Sequence, residues 1–468
     1  MIWLKDRHNY YLNLNPNFKP PPTPLPQNQI RKKMHRTILK LGLPILIGQL
    51  GLIVTSFADT IMVGHYSTEA LASASFVNNL FNTAVFTITG FSYGLTPLVG
   101  AMFSQKRFAD IGSLVRSALN VNIIVSFLVI AVMTALYFNL HRLGQPDELL
   151  PTIRPYYLLY MAGLVPMAIF SVFAQWSYAI NRTIFPTVIL VSANVLNILG
   201  NWLLIYGHWG LPEMGLTGAG ISTLFARLIC PVVIIAAFFT RDIFRKYSDG
   251  YRAARSNRRL TLLVSRTSWP VSLQMALESG SFTLAAVMAG WTGAIGLASF
   301  QVVVITGMLG FMVYYSFGTA VAVLVSNAAG RDDRPAMRRI AFAGYHIQLA
   351  FATTASLIFL FGARHIMTIF TDDPQVYAAS LALVIPLVLY QYGDATQINF
   401  ANALRGTSRV MPMLWIAFIA YILIGLPAMY ILGFTVSLGV YGIILSFSVS
   451  LFLAAFLFLR YFLATTRR

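Results

Sequence analysis

Three acidic residues stand where acids are least expected. Of the fifteen aspartates and glutamates in the chain, twelve fall in the N-terminal tail, in connections or near the ends of apolar segments. The exceptions are Asp59, Glu278 and Asp394, each set in an apolar run. An ionised acid at mid-membrane depth costs at least about 2.5 to 3.5 kcal/mol on insertion scales, and such residues mark cavities, partner cations or proton paths. Asp394 lies in the stretch YQYGDATQINFANALRG, among Tyr390, Gln391, Tyr392, Thr396, Gln397 and Asn399. That polar stripe suits a wet cavity better than lipid. Tyr390 and Asp394 are four residues apart and share a helix face. No equal set of buried bases balances the acids, and Arg227 is the main candidate. Unbalanced carboxylates attract cations. A carboxyl that holds a proton, a sodium ion or an organic cation holds one at a time, and that competition is a sufficient basis for antiport.

The elements that must carry these acids are set by composition. The chain has 468 residues, 57% hydrophobic and 10% charged, against about 25% charged in a soluble domain. Too few charges are available to wet a surface of that size, so the surroundings must be lipid. Uncharged stretches such as 121–138 and 416–435 approach or reach the roughly 20 residues a helix needs to cross hydrocarbon. The short alternating segments of a transmembrane barrel are missing. Apolar windows predict about twelve spans, starting near Thr37, Phe76, Gly112, Pro151, Phe185, Leu216, Leu260, Leu297, Met337, Val376, Met411 and Gly439. The expected fold is an all-α polytopic membrane protein. No phosphate-cradling Gly-rich loop precedes a Lys-Ser/Thr pair, and no Cys/His spacing suits a metal. The single cysteine, Cys230, excludes an intramolecular disulfide. The chain is read as non-enzymatic, without cofactor or resident metal.

The net charge of +18 raises the question of nucleic acid. Its placement answers it. Basic residues cluster at Arg31 to Lys40, at Lys106, Arg107 and Arg116, between Arg241 and Arg266, at Arg331 to Arg339, at Arg405 and Arg409, and at Arg467 and Arg468. With twelve spans these fall on one side, opposite Arg142, Arg154 and Arg364. Positive residues mark the cytoplasmic face, so both termini are expected there, and no nucleic-acid module is found. The stretch Asn13 to Gln29 contains six prolines, Pro16, Pro20, Pro21, Pro22, Pro24 and Pro26, and reads as an extended tail with no signal-peptide core. Met34 is a candidate natural start. The expected organisation is a disordered Pro-rich and basic tail (1–36), an N-lobe of six spans (37–241), a cytoplasmic linker (242–259) and a C-lobe of six spans (260–468).

The two lobes repeat one another. KLGLPILIGQLG (40–51) parallels RTSWPVSLQMAL (266–277), aligning Pro44 with Pro270. The same offset pairs Leu71-Ala72-Ser73 with Leu297-Ala298-Ser299, and Pro186 with Pro412. A slip of two residues pairs Gly215 with Gly439. Six spans is an even number, so the halves enter from the same side as parallel repeats, with a path between them. The acids are not repeated: Asp59 pairs with Ala285, Glu278 with Leu52 and Asp394 with Ala168. A two-carboxylate site is expected in the C-lobe and a one-carboxylate site in the N-lobe.

At these residues the sequence resembles the multidrug and toxic compound extrusion (MATE) family, in its NorM-like bacterial branch. The resemblance runs from Lys40 to the C-terminus and rests on SFADTIMVGHYSTEALAS, PVSLQMALESGSF and YQYGDATQINFANALRG. It implies two six-helix lobes in a V and export of organic cations against sodium or protons. It carries the N-lobe aspartate onto Asp59, with Asn197, Asn201 and Thr223 as accompanying polar residues. Asn201 is neutral where some relatives carry an aspartate. In the C-lobe it carries the cation-site residues onto Glu278, Tyr390 and Asp394, with Gln301 as a further polar residue. Phe282, one turn from Glu278, is placed beside the substrate path. Pro44, Pro166, Pro270 and Pro386 are expected to bend helices, and His346 to be a buried structural histidine.

The expected function is secondary antiport of lipophilic cationic small molecules, drugs and dyes among them, against Na+ or H+, with sodium slightly favoured. The expected setting is a monomer in the bacterial cytoplasmic (inner) membrane. A flippase for lipid-linked oligosaccharides is the first alternative, disfavoured because an anionic lipid phosphate calls for cavity Arg and Lys. An ion channel or receptor is the alternative from another class.

Overall fold

The computed structural model describes residues 27–142, 146–254, 257–371 and 373–467. The Pro-rich segment, Arg255 of the linker and Asp372 lie outside the described residues. Within them the secondary structure is helical. The membrane-crossing elements of the N-lobe are α1 (Gln27–Tyr66), α2 (Thr68–Ser104), α3 (Phe108–Phe138), α4 (Leu150–Ala179), α5 (Ile184–Tyr206) and α6 (Gly215–Thr240). Those of the C-lobe are α7 (Arg258–Trp291), α8 (Ala294–Ala329), α9 (Arg334–Phe370), α10 (Pro374–Ala382 with Val384–Gly406), α11 (Met411–Thr435) and α12 (Gly439–Thr465). Ten of these are long and apolar enough to cross a membrane, and α10 makes eleven when its two bent halves count as one span. The remaining helix, α7, has the length at 34 residues, but Ser268, Ser272, Gln274, Glu278, Ser279 and Ser281 dilute its apolarity.

Two boundaries differ from the sequence reading. Helix α1 is already formed at Gln27, the first described residue, rather than beginning near 37, because the run QNQIRKKMHR consists largely of good helix formers and no proline follows before Pro44. Helix α2 starts at Thr68, eight residues before Phe76. Its first turn is rich in small residues and weak in hydropathy, but Ser67 caps it by accepting from the backbone N–H of Glu69 (3.2 Å) and Ala70 (3.3 Å). The linker holds a helix, Arg245–Ala253, packed under α3. There the Arg116 guanidinium donates to the carbonyl of Ala254 at 2.5 Å.

Proline sets the breaks in three spans. A proline lacks an N–H for the carbonyl four residues earlier and its ring clashes there. Four residues before Pro97, Pro166 and Pro386 are Tyr93, Ala162 and Ala382, and those are the last residues of their helical segments. The break before Pro386 bends α10 by 47°. At Pro44 and Pro270, by contrast, the helical hydrogen-bonded segments of α1 and α7 continue without interruption.

The lobes meet at the end that carries the basic clusters. The ring of Phe317 on α8 covers Gly42 of α1. Ser272 on α7 donates to the Thr87 carbonyl of α2 (2.9 Å), and Gln105 donates to the Gly330 carbonyl (2.8 Å). Along α2 the face that carries Gly94 and Gly90 is buried at this seam. About two, three and four turns beyond Gly90, the same face presents Thr83, Asn79 and Ser75, all exposed. Polar side chains left uncovered on a span indicate a water-filled cleft. The lobes therefore close at the basic end and part at the other, in a V.

Candidate functional site

The C-lobe brings two of the three buried acids together. Glu278, half-buried in the middle of α7, accepts a hydrogen bond from Gln274 Nε2 one turn earlier, at 2.8 Å. On α10, Asp394 is 1% exposed and its Oδ2 has no partner. Asp394, Tyr390 and Tyr421 all lie within electrostatic reach of the Glu278 carboxyl. The Tyr421 hydroxyl, on α11, faces Glu278 without closing a hydrogen bond. Gln391, wholly buried, accepts from Tyr314 Oη at 2.8 Å and leaves its own Nε2 unpartnered. The result is a pair of carboxyls ringed by neutral oxygen and amide groups with open hydrogen-bonding capacity. A buried polar group left unpartnered costs about 1 to 3 kcal/mol, so a site with several of them is built for something that arrives.

Local geometry explains how four helices converge. Tyr421 sits in a π-helical stretch of α11, Phe418–Gly425. Such widened turns are uncommon and concentrate at functional sites. On the side of the acids away from the basic end, Tyr390 packs edge-on against Phe282 (6.3 Å between centroids), and Phe282 stacks on Phe447 at 4.4 Å. Phe282 thus belongs to the wall on the outer side of the site. Gln301 does not join it: its side chain is exposed and forms no hydrogen bond. The family resemblance had singled it out, and its helical phase on α8 turns it away.

In the N-lobe, Asp59 on α1 accepts from Asn201 Nδ2 of α5. The Asn197 amide, oriented so that both ends are satisfied, donates to Asp59 Oδ1 at 3.1 Å and accepts from the Thr223 backbone N–H at 3.1 Å. Ser222 Oγ donates to the Asn197 carbonyl at 2.7 Å. Asn201 and Asn197 therefore reach Asp59 and Thr223 joins them through Asn197, the group of residues to which the family resemblance pointed. Arg227 acts on Asp59 electrostatically but forms no ion pair with it, and its guanidinium lies 4.0 Å from the Tyr160 ring centroid. Among the described residues the ion pairs are Arg107 with Asp110 and Arg334 with Asp332, both exposed. None involves the three buried acids.

Asp59 thus has amide donors and a nearby cation, whereas Glu278 and Asp394 repel one another and have neutral company. The expected result for Asp59→Asn is a fall in export rate of about threefold to tenfold, with the half-saturating concentration of the driving cation unchanged, because the substitution removes charge from the lobe without the carboxylate pair. Rate against cation concentration in proteoliposomes checks this.

Gln274, Tyr314, Gln391, Ser222 and Tyr421 were not singled out as site residues from sequence. Gln274 was legible in principle, since it precedes Glu278 by four residues and so lies on its face. Tyr421 carried no such signal, because its direction depends on the π-helical register.

The sequence model of the MatE family matches residues 44–203 and again 270–431, once in each lobe, starting at the aligned Pro44 and Pro270. A probable multidrug resistance protein NorM of Geobacillus kaustophilus is 28% identical over 411 residues, covering 87% of this chain and 90% of that protein. One of Bradyrhizobium diazoefficiens is 28% identical over 456 residues, covering 96% and 97%. Among solved structures, the Vibrio cholerae MATE transporter VcmN superposes with a TM-score of 0.84 at 15% identity, covering 93% of this chain and 97% of that one. A multidrug resistance MATE family transporter of the MOP superfamily, solved in an outward-facing conformation, does so with a TM-score of 0.84 at 17% identity, covering 92% and 96%.

Proposed function

The chain belongs to the MatE family of membrane transporters, and from that premise we propose that it exports lipophilic organic cations by antiport against Na+ or H+, with Glu278 and Asp394 as the shared cation site. As a NorM-like MATE protein it is a multidrug efflux transporter and not an enzyme. The observation that carries the antiport reading is the carboxyl pair itself, which lies in one electrostatic neighbourhood without a base in ion-pair contact. Two like charges a short distance apart in a medium of low dielectric constant are unfavourable unless a cation or a proton sits with them.

The cycle follows from that repulsion. In the V-shaped state the site is reached through the cleft lined by Asn79 and Thr83. A coupling ion entering there neutralises the pair and removes the charge an organic cation would need. The loaded protein then favours a different lobe arrangement from the drug-loaded one. A ligand shifts a conformational equilibrium only by its differential affinity for the two states, and the carboxyl pair supplies that difference. Hydroxyls and amide oxygens from Tyr390, Tyr421, Gln391 and Gln274 suit a hard cation such as sodium, and the carboxyls alone suffice for a proton. The aromatic wall of Phe282 and Phe447 offers flat apolar contact to a lipophilic cation.

By the positive-inside rule, we place the closed, basic end and both termini in the cytoplasm of a bacterial cell, with the cleft opening outward. A lipid-phosphate flippase is disfavoured by the acid bias of the site.

Purified protein in proteoliposomes tests the reading. An imposed sodium gradient at equal pH is expected to drive uptake or release of a fluorescent organic cation, and its collapse by a sodium ionophore to stop it. Transport driven by a pH gradient alone would assign the proton instead. Transport under neither gradient would end the antiport proposal.

A further inference from the structure

We propose that Arg405 is the cytoplasmic gate of the cation pathway: its guanidinium closes the inner end of the cavity below Glu278 against cations and is latched there by Tyr93 of the opposite lobe. The proposal rests on the carboxylate reading above and adds a residue that reading does not use.

A cavity of about 40 Å³ runs from Glu278 toward the basic end of the molecule, lined by Gln274, Tyr315, Gln397, Asn402 and Arg405 among others. That is room for at least one water. Arg405 lies in the last turn of α10, about 16 Å along the helix axis from Asp394 at 1.5 Å per residue. It is 3% exposed. A long basic side chain near a span end would ordinarily reach out to water. Arg405 instead faces inward, donates to Asn402 Oδ1 and leaves its Nε without a partner. Gln397 Oε1, in the same cavity, is also buried without a partner. No acidic side chain pairs with Arg405 among the described residues.

The remaining contact of the guanidinium crosses between lobes. Its carbon lies 5.3 Å from the ring centroid of Tyr93, the residue of α2 that precedes Gly94 at the seam. Tyr93 also packs on Tyr315 of α8 at 5.7 Å. A cation over an aromatic face is held more firmly when both are desolvated, and that contact exists only while the lobes are closed at this end. A fixed positive charge in a narrow, low-dielectric passage strongly opposes another cation passing it. An ion that reaches Glu278 from the outer cleft therefore meets a barrier below it. When the lobes part, the Tyr93 ring leaves, the guanidinium is freed and the passage opens. An exchanger needs such a gate, because a cation that slips through without drug movement dissipates the gradient.

Flux of sodium-22 and of protons into proteoliposomes without drug tests the gate. Arg405→Gln is expected to raise this drug-independent flux at least about threefold and to lower the drug moved per ion entering. Arg405→Lys, which keeps the charge, is expected to leak less. Tyr93→Leu should leak, whereas Tyr93→Phe, which keeps the aromatic face, should stay as tight as the parent and so separates the latch from a folding defect. In the double variant Arg405→Gln with Glu278→Gln the leak should return to baseline, since the ion must pass the carboxyl. An Arg405→Gln protein as tight and as well coupled as the parent overturns the gate, as does a leak that persists in the double variant. Export at the parent rate by Glu278→Gln alone overturns the carboxylate reading beneath it, a result visible without any leak measurement.

Discussion

Glu278→Gln is expected to cripple gradient-driven export: accumulation of a fluorescent organic cation should fall by about tenfold or more, the equivalent of at least about 1.4 kcal/mol of driving interaction. The substitution is chosen to remove charge and little else. Gln274 Nε2 donates to the Glu278 carboxyl at 2.8 Å, and the glutamine oxygen still accepts that bond, so the local packing of α7 is retained. Asp394→Asn is expected to match it. Because the acids act as one unit, the double variant should be hardly worse than either single one, the non-additivity expected of coupled neighbours. Thermal unfolding of each purified variant supplies the control: a buried carboxyl pair relieved of mutual repulsion should melt no lower than the parent. Export at the parent rate by either single variant would remove the C-lobe site from the mechanism, and a smaller loss in Asp59→Asn, with its dependence on the driving cation unchanged, is the asymmetry expected between the lobes.

That asymmetry was legible in the residues before any coordinates. Three acids in apolar runs and an unrepeated pattern of charge over a repeated scaffold were enough to set Glu278 and Asp394 against Asp59. Cost decided it, because an acid in hydrocarbon needs a reason whatever the fold around it. The twelve spans were legible for the same reason, as long uncharged windows admit few alternatives to a helix. Phase was harder to read. Gln301 sits in the expected helix and faces away, while Tyr421 reaches the site from a helix whose register slips through a π-helical stretch. The first direction needs knowledge of which face of α8 meets the site, and the second does not follow from spacing at 3.6 residues per turn. The breaks at Tyr93, Ala162 and Ala382 follow from prolines four residues on, yet Pro44 and Pro270 leave α1 and α7 uninterrupted. The seam between the lobes was not read at all, because close approach of two helices depends on which small residues face each other, and a sequence lists its glycines without saying what lies opposite.

Gly94 is among the tightest positions of that seam, and Gly94→Leu is the second substitution expected to stop transport. A Cβ built at Gly94 would lie 2.5 Å from Ser268 Cα and 2.7 Å from the Ser268 backbone nitrogen on α7. Those are main-chain atoms of a 34-residue helix, so the clash cannot be relieved by turning a side chain. The lobes must part at this end, or the seam must distort by more than a well-packed interface allows. A rigid interface that admits two arrangements responds to a local obstacle by changing its population between them. The expected outcome is a protein biased toward the cytoplasm-open arrangement, exporting about tenfold less than the parent, since about 1.4 kcal/mol against one state is a tenfold shift in its population. Accessibility separates this from misfolding. With Cys230 replaced by Ala, a cysteine introduced at Thr83, exposed in the cleft, should react with an impermeant thiol reagent from outside in the parent and much more slowly with Gly94→Leu present. Ser268→Gly should fail to rescue, because the obstructing atoms belong to the backbone and remain. Gly94→Leu that labels at the parent rate and exports normally would show that the seam opens and closes on some other surface, and the closed end of the V would then no longer account for alternating access.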